Sequence, residues 1–170
     1  MNQKVFLEFV NPIKDKIYRL SLRLLVSKDA AEDATQEVMI RLWKMKDKLK
    51  DYKSPQALAM TITKNYCFDQ LKAKKNNNLR IVHSNYEDGK KSSLQKEIEA
   101  KDELLKVQEI IKNLSDQEQL LIQLRDIEQL EYDEMEEITK MNQTAIRVAL
   151  SRARKKIRKE ILKKHNYGIA

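Results

Sequence analysis

Two glycines and two prolines in 170 residues are the tightest constraint on this chain. A sheet needs a reversal at every strand end, and those reversals draw on Gly, Pro, Asn and Asp. A chain so poor in the first two favours long helices joined by few connections. Lys, Glu, Leu, Ile, Gln and Ala dominate the rest, all but Ile strong helix formers, so the expected fold class is all-α. The length suits one ordinary domain or two small ones. A hydrophobic share of 41% supplies packed cores, while the 35% charged fraction demands a large wet surface.

Apolar spacing and capping residues divide the chain. Residues 5–26 carry Ile17, Leu20, Leu24 and Leu25 at helical intervals, with Pro12 read as the helix start. A second helix is expected from about Ala30 to Leu49. Its acids (Asp29, Glu32, Asp33, Glu37) come first and its lysines (Lys44, Lys46, Lys48) last, the order the helix dipole favours. Ser54-Pro55 reads as a cap followed by a first-turn proline, opening a third helix to about Lys75. Asn76-Asn77-Asn78, Asp88-Gly89 and Ser92-Ser93 then give turn and linker chemistry with little to bury. Periodicity returns near Leu94 and continues to Leu114. Ser115-Asp116-Gln117-Glu118 matches a capping box ahead of a helix through Leu124. A short helix over Tyr132–Thr139 and a long one from Gln143 to Lys164 complete the chain. The expected organisation is two small helical domains, 1–75 and 96–170, joined by a flexible linker at 76–95.

The formal charge of +8 is unevenly spread. Residues 1–86 carry 17 basic and 9 acidic groups, 87–139 carry 7 and 16, and 140–170 carry 10 and 1. One basic block is commonly a solvated face; two of one sign, in a protein of pI about 9.4, favour a polyanion and nucleic acid ahead of membrane. The single Cys67 excludes an internal disulfide and suits a reducing compartment. No leader-like start and no apolar run of bilayer length occur, so a soluble cytoplasmic protein without membrane insertion is expected.

The most specific stretch is 132–158, YDEMEEITKMNQTAIRVALSRARKKIR. A short helix meets the turn Lys140-Met141-Asn142, and Asn142 stands where it would cap the next helix. There Ile146, Leu150, Ala153, Ile157 and Ile161 form one apolar stripe, with Arg147, Ser151, Arg154 and Arg158 opposite. This is the helix-turn-helix plan, whose second helix lies in the major groove. Gln143, Thr144, Arg147, Val148, Ser151 and Arg152 occupy its reading half, and Arg suits guanine edges. Lys155, Lys156 and Lys159 come next as phosphate contacts. The bland alternative is an amphipathic helix with a basic solvated side.

Residues 114–158 resemble the C-terminal domain of extracytoplasmic-function sigma factors, subunits that direct RNA polymerase to promoters. Residues 30–75, with AAEDATQEVMIRLW and ITKNYCFDQLKAKK, resemble their N-terminal promoter-opening domain. The order and the linker match too, so the resemblance covers nearly the whole chain. It implies that the helix carrying Asp33, Gln36, Glu37, Ile40 and Arg41 docks on the clamp of core polymerase, and these positions share one helix face. Trp43 falls in the same motif, though its size argues for core packing. The resemblance further implies that Lys64, Asn65, Lys72, Lys74 and Lys75 engage the minus-ten element, where a base is extruded and captured. Asn65 is the candidate reader. The implied partners are core RNA polymerase through its clamp and flap, promoter DNA, and an anti-sigma factor.

The chain departs from the family at several points. Leu58 and Met60 stand where aromatics are frequent, Lys140 where a turn glycine is usual, and Glu136 where a small residue commonly packs. No catalytic, cofactor or metal residues are expected. His83 and His165 stand far apart in sequence, a lone cysteine builds no thiolate site, and no phosphate-loop glycine pattern exists. Two rivals remain: a stand-alone helix-turn-helix regulator, which requires a dimer and a palindromic site, and, remotely, a helical nucleic-acid hydrolase binding magnesium through the acidic segment.

Overall fold

The computed structural model describes the backbone of residues 1–78 and 98–167, and the side chains of 1–77 and 102–165. These residues form helices α1 (Gln3–Leu25), α2 (Lys28–Lys44), α3 (Pro55–Asn78), α4 (Ile98–Lys112), α5 (Asp116–Ile122), α6 (Tyr132–Thr139) and α7 (Gln143–Tyr167). A 3-10 segment succeeds α2 at Lys46–Asp51, and a π turn succeeds α5 at Gln123–Ile127. The fold is all-α, in two small helical domains with a helix-turn-helix in the second. Of the expected linker, 76–78 belong to α3 and 79–95 lie outside the described residues.

Helix α1 corrects the expectation that Pro12 begins it. Asn2 caps the helix instead, its side chain accepting from Val5 N at 2.9 Å, and the helix runs on through Pro12. The proline ring is tolerated because Pro12 and Glu8 both lie on the exposed side, where the carbonyl that loses its partner meets water. The opposite side buries Phe6, Val10, Ile13, Ile17, Leu20 and Leu24. The helix ends at Val26, left-handed at φ 64°, and Ser27 caps α2 by accepting from Ala30 N at 3.2 Å.

Helix α2 is shorter than expected. Beyond Lys44 the chain tightens to a 3-10 segment that turns Leu49 into the core. Small buried residues (Ala31, Ala34, Thr35) bring α2 close to α1, and Val38 and Leu42 complete the contact. Ser54 caps α3 as expected, accepting from Ala57 N at 3.1 Å, and Ala57, Ala59, Met60, Thr63 and Cys67 close a three-helix unit.

In the C-terminal unit Ser115 caps α5 by accepting from Glu118 N at 3.2 Å. The helix ends earlier than expected, because the backbone widens to a π turn closed by Glu128 N donating to Gln123 O at 3.0 Å. Leu120, Leu121, Leu124, Leu130, Met135, Ile138, Ile146, Leu150 and Ala153 form the core there. Helix α1 packs on α5 and the π turn, and α3 packs on α6, so the buried residues of both units form one continuous apolar cluster. Ile161, expected in the apolar stripe of α7, is instead 40% exposed, at the edge of an open cleft that it shares with Val107 and Ile110 of α4.

Candidate nucleic-acid interface

Helix α6 stops at Lys140, left-handed with φ 61° and ψ 13°, whose N–H donates to Glu136 O at 2.9 Å. The place where a glycine is usual thus keeps its geometry with a lysine in it. Met141 N donates to the Thr139 hydroxyl at 3.2 Å, and Asn142 caps α7 by accepting from Ala145 N at 2.8 Å. Met135 and Ile138 of α6 face Ile146 and Leu150 of α7, all fully buried, which fixes the crossing of the two helices. Glu136 is exposed rather than packed between them, and it accepts from Gln143 Nε2 at 3.3 Å; Asp133 accepts from the same nitrogen at 2.6 Å.

The outward side of α7 presents Thr144, Arg147, Val148, Ser151, Arg152 and Lys155, all exposed. Arg147 lies 4.3 Å from the Tyr132 ring centroid and Arg125 lies 4.4 Å from it, so cation–π contact holds the Arg147 guanidinium at the head of the helix. Two expected solvent-side cations are engaged elsewhere. Arg154 forms a two-point pair with Asp126, with Nε to Oδ2 at 3.0 Å, and Lys156 donates to Glu118 at 2.9 Å. Burial pushes the Glu118 carboxyl up, but hydrogen bonds from Lys156 and Ser115 outweigh it and hold the group below its usual value. Both pairs tie α7 to the segment running through α5 and the π turn.

On α3, Asn65, Lys72, Lys74 and Lys75 are exposed. Lys64 is not. Its ammonium donates to the Ile138 carbonyl at the end of α6, at 2.7 Å, and burial together with the nearby Lys140 lowers its pKa. Lys64, Lys72 and Lys75 line a cleft of about 390 Å³ against Asp116, Leu120 and Thr139. Leu58 is half-buried and Met60 fully buried, which leaves Met60 no part in wedging bases apart.

On α2, Asp33, Gln36, Ile40 and Arg41 are exposed in one strip with half-buried Glu37. Arg41 donates to Glu37 at 3.0 Å, and Ile40 is an apolar tip 49% exposed among them. Trp43 packs edge-to-face on Phe6 with ring centroids 5.0 Å apart, a core role. Tyr52 is exposed beside Lys50 and Lys53 at the turn into α3.

Residues 9–77 match the model of Sigma-70 region 2 and residues 104–157 that of Sigma-70, region 4, together more than half of the chain. The chain belongs to the extracytoplasmic-function group of the sigma-70 family. It is a sigma factor, which binds core RNA polymerase and promoter DNA and directs transcription initiation. Among solved structures the sigma factor resembles RpoE from Bartonella quintana, in complex with the anti-sigma factor NepR. The TM-score is 0.74 at 18% identity, covering 93% of this chain and 97% of that one. It also resembles CnrH, in complex with the cytosolic domain of CnrY, with a TM-score of 0.65 at 17% identity over 94% and 89% of the two chains. No curated protein matches it. Among the described residues no helix of the sigma factor is long and apolar enough to cross a membrane, and no three His, Cys, Asp or Glu side chains gather as a metal-holding group.

Proposed function

We propose that this sigma factor divides its work among three surfaces on two domains, 1–75 and 96–170, joined by the linker 76–95. The α2 strip of Asp33, Gln36, Glu37, Ile40 and Arg41 docks on the polymerase clamp, and the second domain meets the flap. Lys64, Asn65, Lys72, Lys74 and Lys75 hold and read the displaced strand of the minus-ten element. Gln143, Thr144, Arg147, Val148, Ser151, Arg152, Lys155 and Lys156 bind the upstream element, with Arg147 and Ser151 at base edges and the lysines at phosphates. The observation that carries this is the exposed outer side of α7, set by a capped turn and headed by an arginine braced on Tyr132. The sigma factor catalyses no reaction itself and acts in the cytoplasm with the polymerase. The anti-sigma factor in complex with RpoE supports an inhibitory protein for this chain too, covering the strip around Asp33 and Glu37.

Run-off transcription with core polymerase on a promoter library tests the reading. The expected result is initiation from a narrow set of starts that share an upstream and a minus-ten element. Asn65→Ala should impair opening in permanganate footprints, with activity partly restored on a premelted template. Starts no more specific than those of core polymerase alone would overturn the reading.

A further inference from the structure

At the seam between the two units, where α1, α4 and the π turn meet, Arg19, Arg23 and Lys112 line one open cleft of about 320 Å³. Arg19 donates through Nε and Nη2 to the two carboxylate oxygens of Glu128, at 2.6 and 2.7 Å, so its charge is matched. The other two cations have no such match. Arg23 donates through Nε to Oε1 of Gln123 at 3.1 Å, a neutral amide, and Gln123 in turn donates to Glu128 at 3.2 Å. Both Nη groups of Arg23 are left without an acceptor among the described residues. The Arg23 side chain is half-buried, and burial lowers its pKa. Lys112 is exposed, and among the described residues its ammonium pairs with no carboxylate. A guanidinium keeps its proton near neutral pH, so a partly desolvated fork with free donors is suited to an oxyanion.

The rest of the cleft is largely apolar. Leu22, Val26 and Ile127 line it, and Val26 and Ile127 are 54% and 41% exposed. Gln108 of α4, half-buried and without a hydrogen bond among the described residues, adds an amide able both to donate and to accept. Exposed apolar side chains beside unmatched cations favour an organic anion over a bare one. No residue of this cleft belongs to the three proposed surfaces, so the functional reading gives it no task.

We propose that the cleft binds a small organic phosphate of nucleotide size, in its simplest form a nucleoside monophosphate. The phosphate sits in the fork of Arg23 with Lys112 beside it. The sugar and base lie along Leu22, Val26 and Ile127, and the Gln108 amide pairs with an edge of the base. A phosphate monoester carries about −1.5 to −2 charges near pH 7, which the two unmatched cations balance. The volume lies at the low end of the small-molecule range, about 300–1,000 Å³, and limits the ligand to a single nucleotide.

Isothermal titration calorimetry of the full-length protein in phosphate-free buffer tests this, with AMP, GMP, adenosine and inorganic phosphate as probes. AMP or GMP should bind saturably, about tenfold tighter than adenosine, which lacks the charge, or inorganic phosphate, which lacks the apolar half. Arg23→Gln should weaken nucleotide binding about tenfold or more, the scale of a lost hydrogen bond to a charged group, with helical circular dichroism unchanged. Lys163→Gln, outside the cleft, should bind as wild type does. Duplex DNA is the other source of phosphate, and a labelled mixed-sequence duplex should bind Arg23→Gln and wild type alike. No saturable nucleotide binding overturns the proposal, as does equal affinity for AMP and inorganic phosphate. A loss of duplex affinity in Arg23→Gln that matches its loss for AMP overturns it too. Should Arg23→Gln fail to fold, Ile127→Glu sets a carboxylate beside the two cations at an exposed position. That variant must lose nucleotide binding and keep duplex binding, or the site falls.

Discussion

Arg147 and Lys155 leave α7 on its exposed side, yet only one of them is held in place. Tyr132 orients Arg147 before DNA arrives, whereas Lys155 stands on a flexible stem. Arg147→Ala should therefore relax recognition at individual upstream positions by about 1–3 kcal/mol, read from affinities across single-base variants of a selected site. Lys155→Ala should weaken every duplex alike and reduce the salt slope by about one. Equal losses for Arg147→Ala on every sequence would sink its role as a reader. Cys67 carries a prediction of a different kind. Burial pushes its thiol up to about 11, against the small opposing effect of a hydrogen bond with Ser21. Thiol reagents near pH 8 should react with it only when the first unit opens, so the labelling rate should track denaturant and report that unit's stability. Fast labelling of the native protein would contradict the buried site.

The helices show which features a sequence discloses. Ser54, Ser115 and Asn142 could be read directly, because a capping side chain and the N–H it satisfies lie three residues apart in the chain. Pro12 misled because a proline suits a first turn, and only the fold shows that the carbonyl it orphans faces water. The end of α2 was hidden in the same way. Its lysines suit a helix C-terminus, and the pull of Leu49 into the core, which tightens the backbone there, is a tertiary effect. The site divides likewise: the outer side of α7 was legible from spacing, while the engagement of Lys64, Arg154 and Lys156 depends on partners distant in sequence. Lys140→Gly should stabilise the second unit by about 1 kcal/mol by relieving the left-handed strain, seen as a shifted denaturation midpoint at constant slope. For the α5–α7 tie, the Glu118 carboxyl is held below its ordinary value of 4.5, so its contribution is fully present above that pH and is lost as acid protonates it. Lys156→Met should lower the melting temperature at neutral pH, and the gap to wild type should narrow as pH falls below that range. A gap constant down to pH 3 would show that the pair does nothing for stability.

At the scale of the molecule, two units that share one apolar cluster have a preferred orientation, and the π turn helps to set it. An α-helical closure spans four residues and a π closure five, so Gln123–Ile127 holds one residue more than an α-helix of the same reach. That surplus places Glu128 where its carboxylate meets Arg19. Removal of one residue from this turn would restore α-helical winding and rotate the rest of the C-terminal unit by about 100°. It would carry Glu128 off the seam while α6, α7 and their turn kept their internal geometry. In a lineage of such chains, the length of this one short segment would then be a genetic dial. A single-codon deletion there would change how the two halves face each other and leave untouched the helix proposed to read DNA.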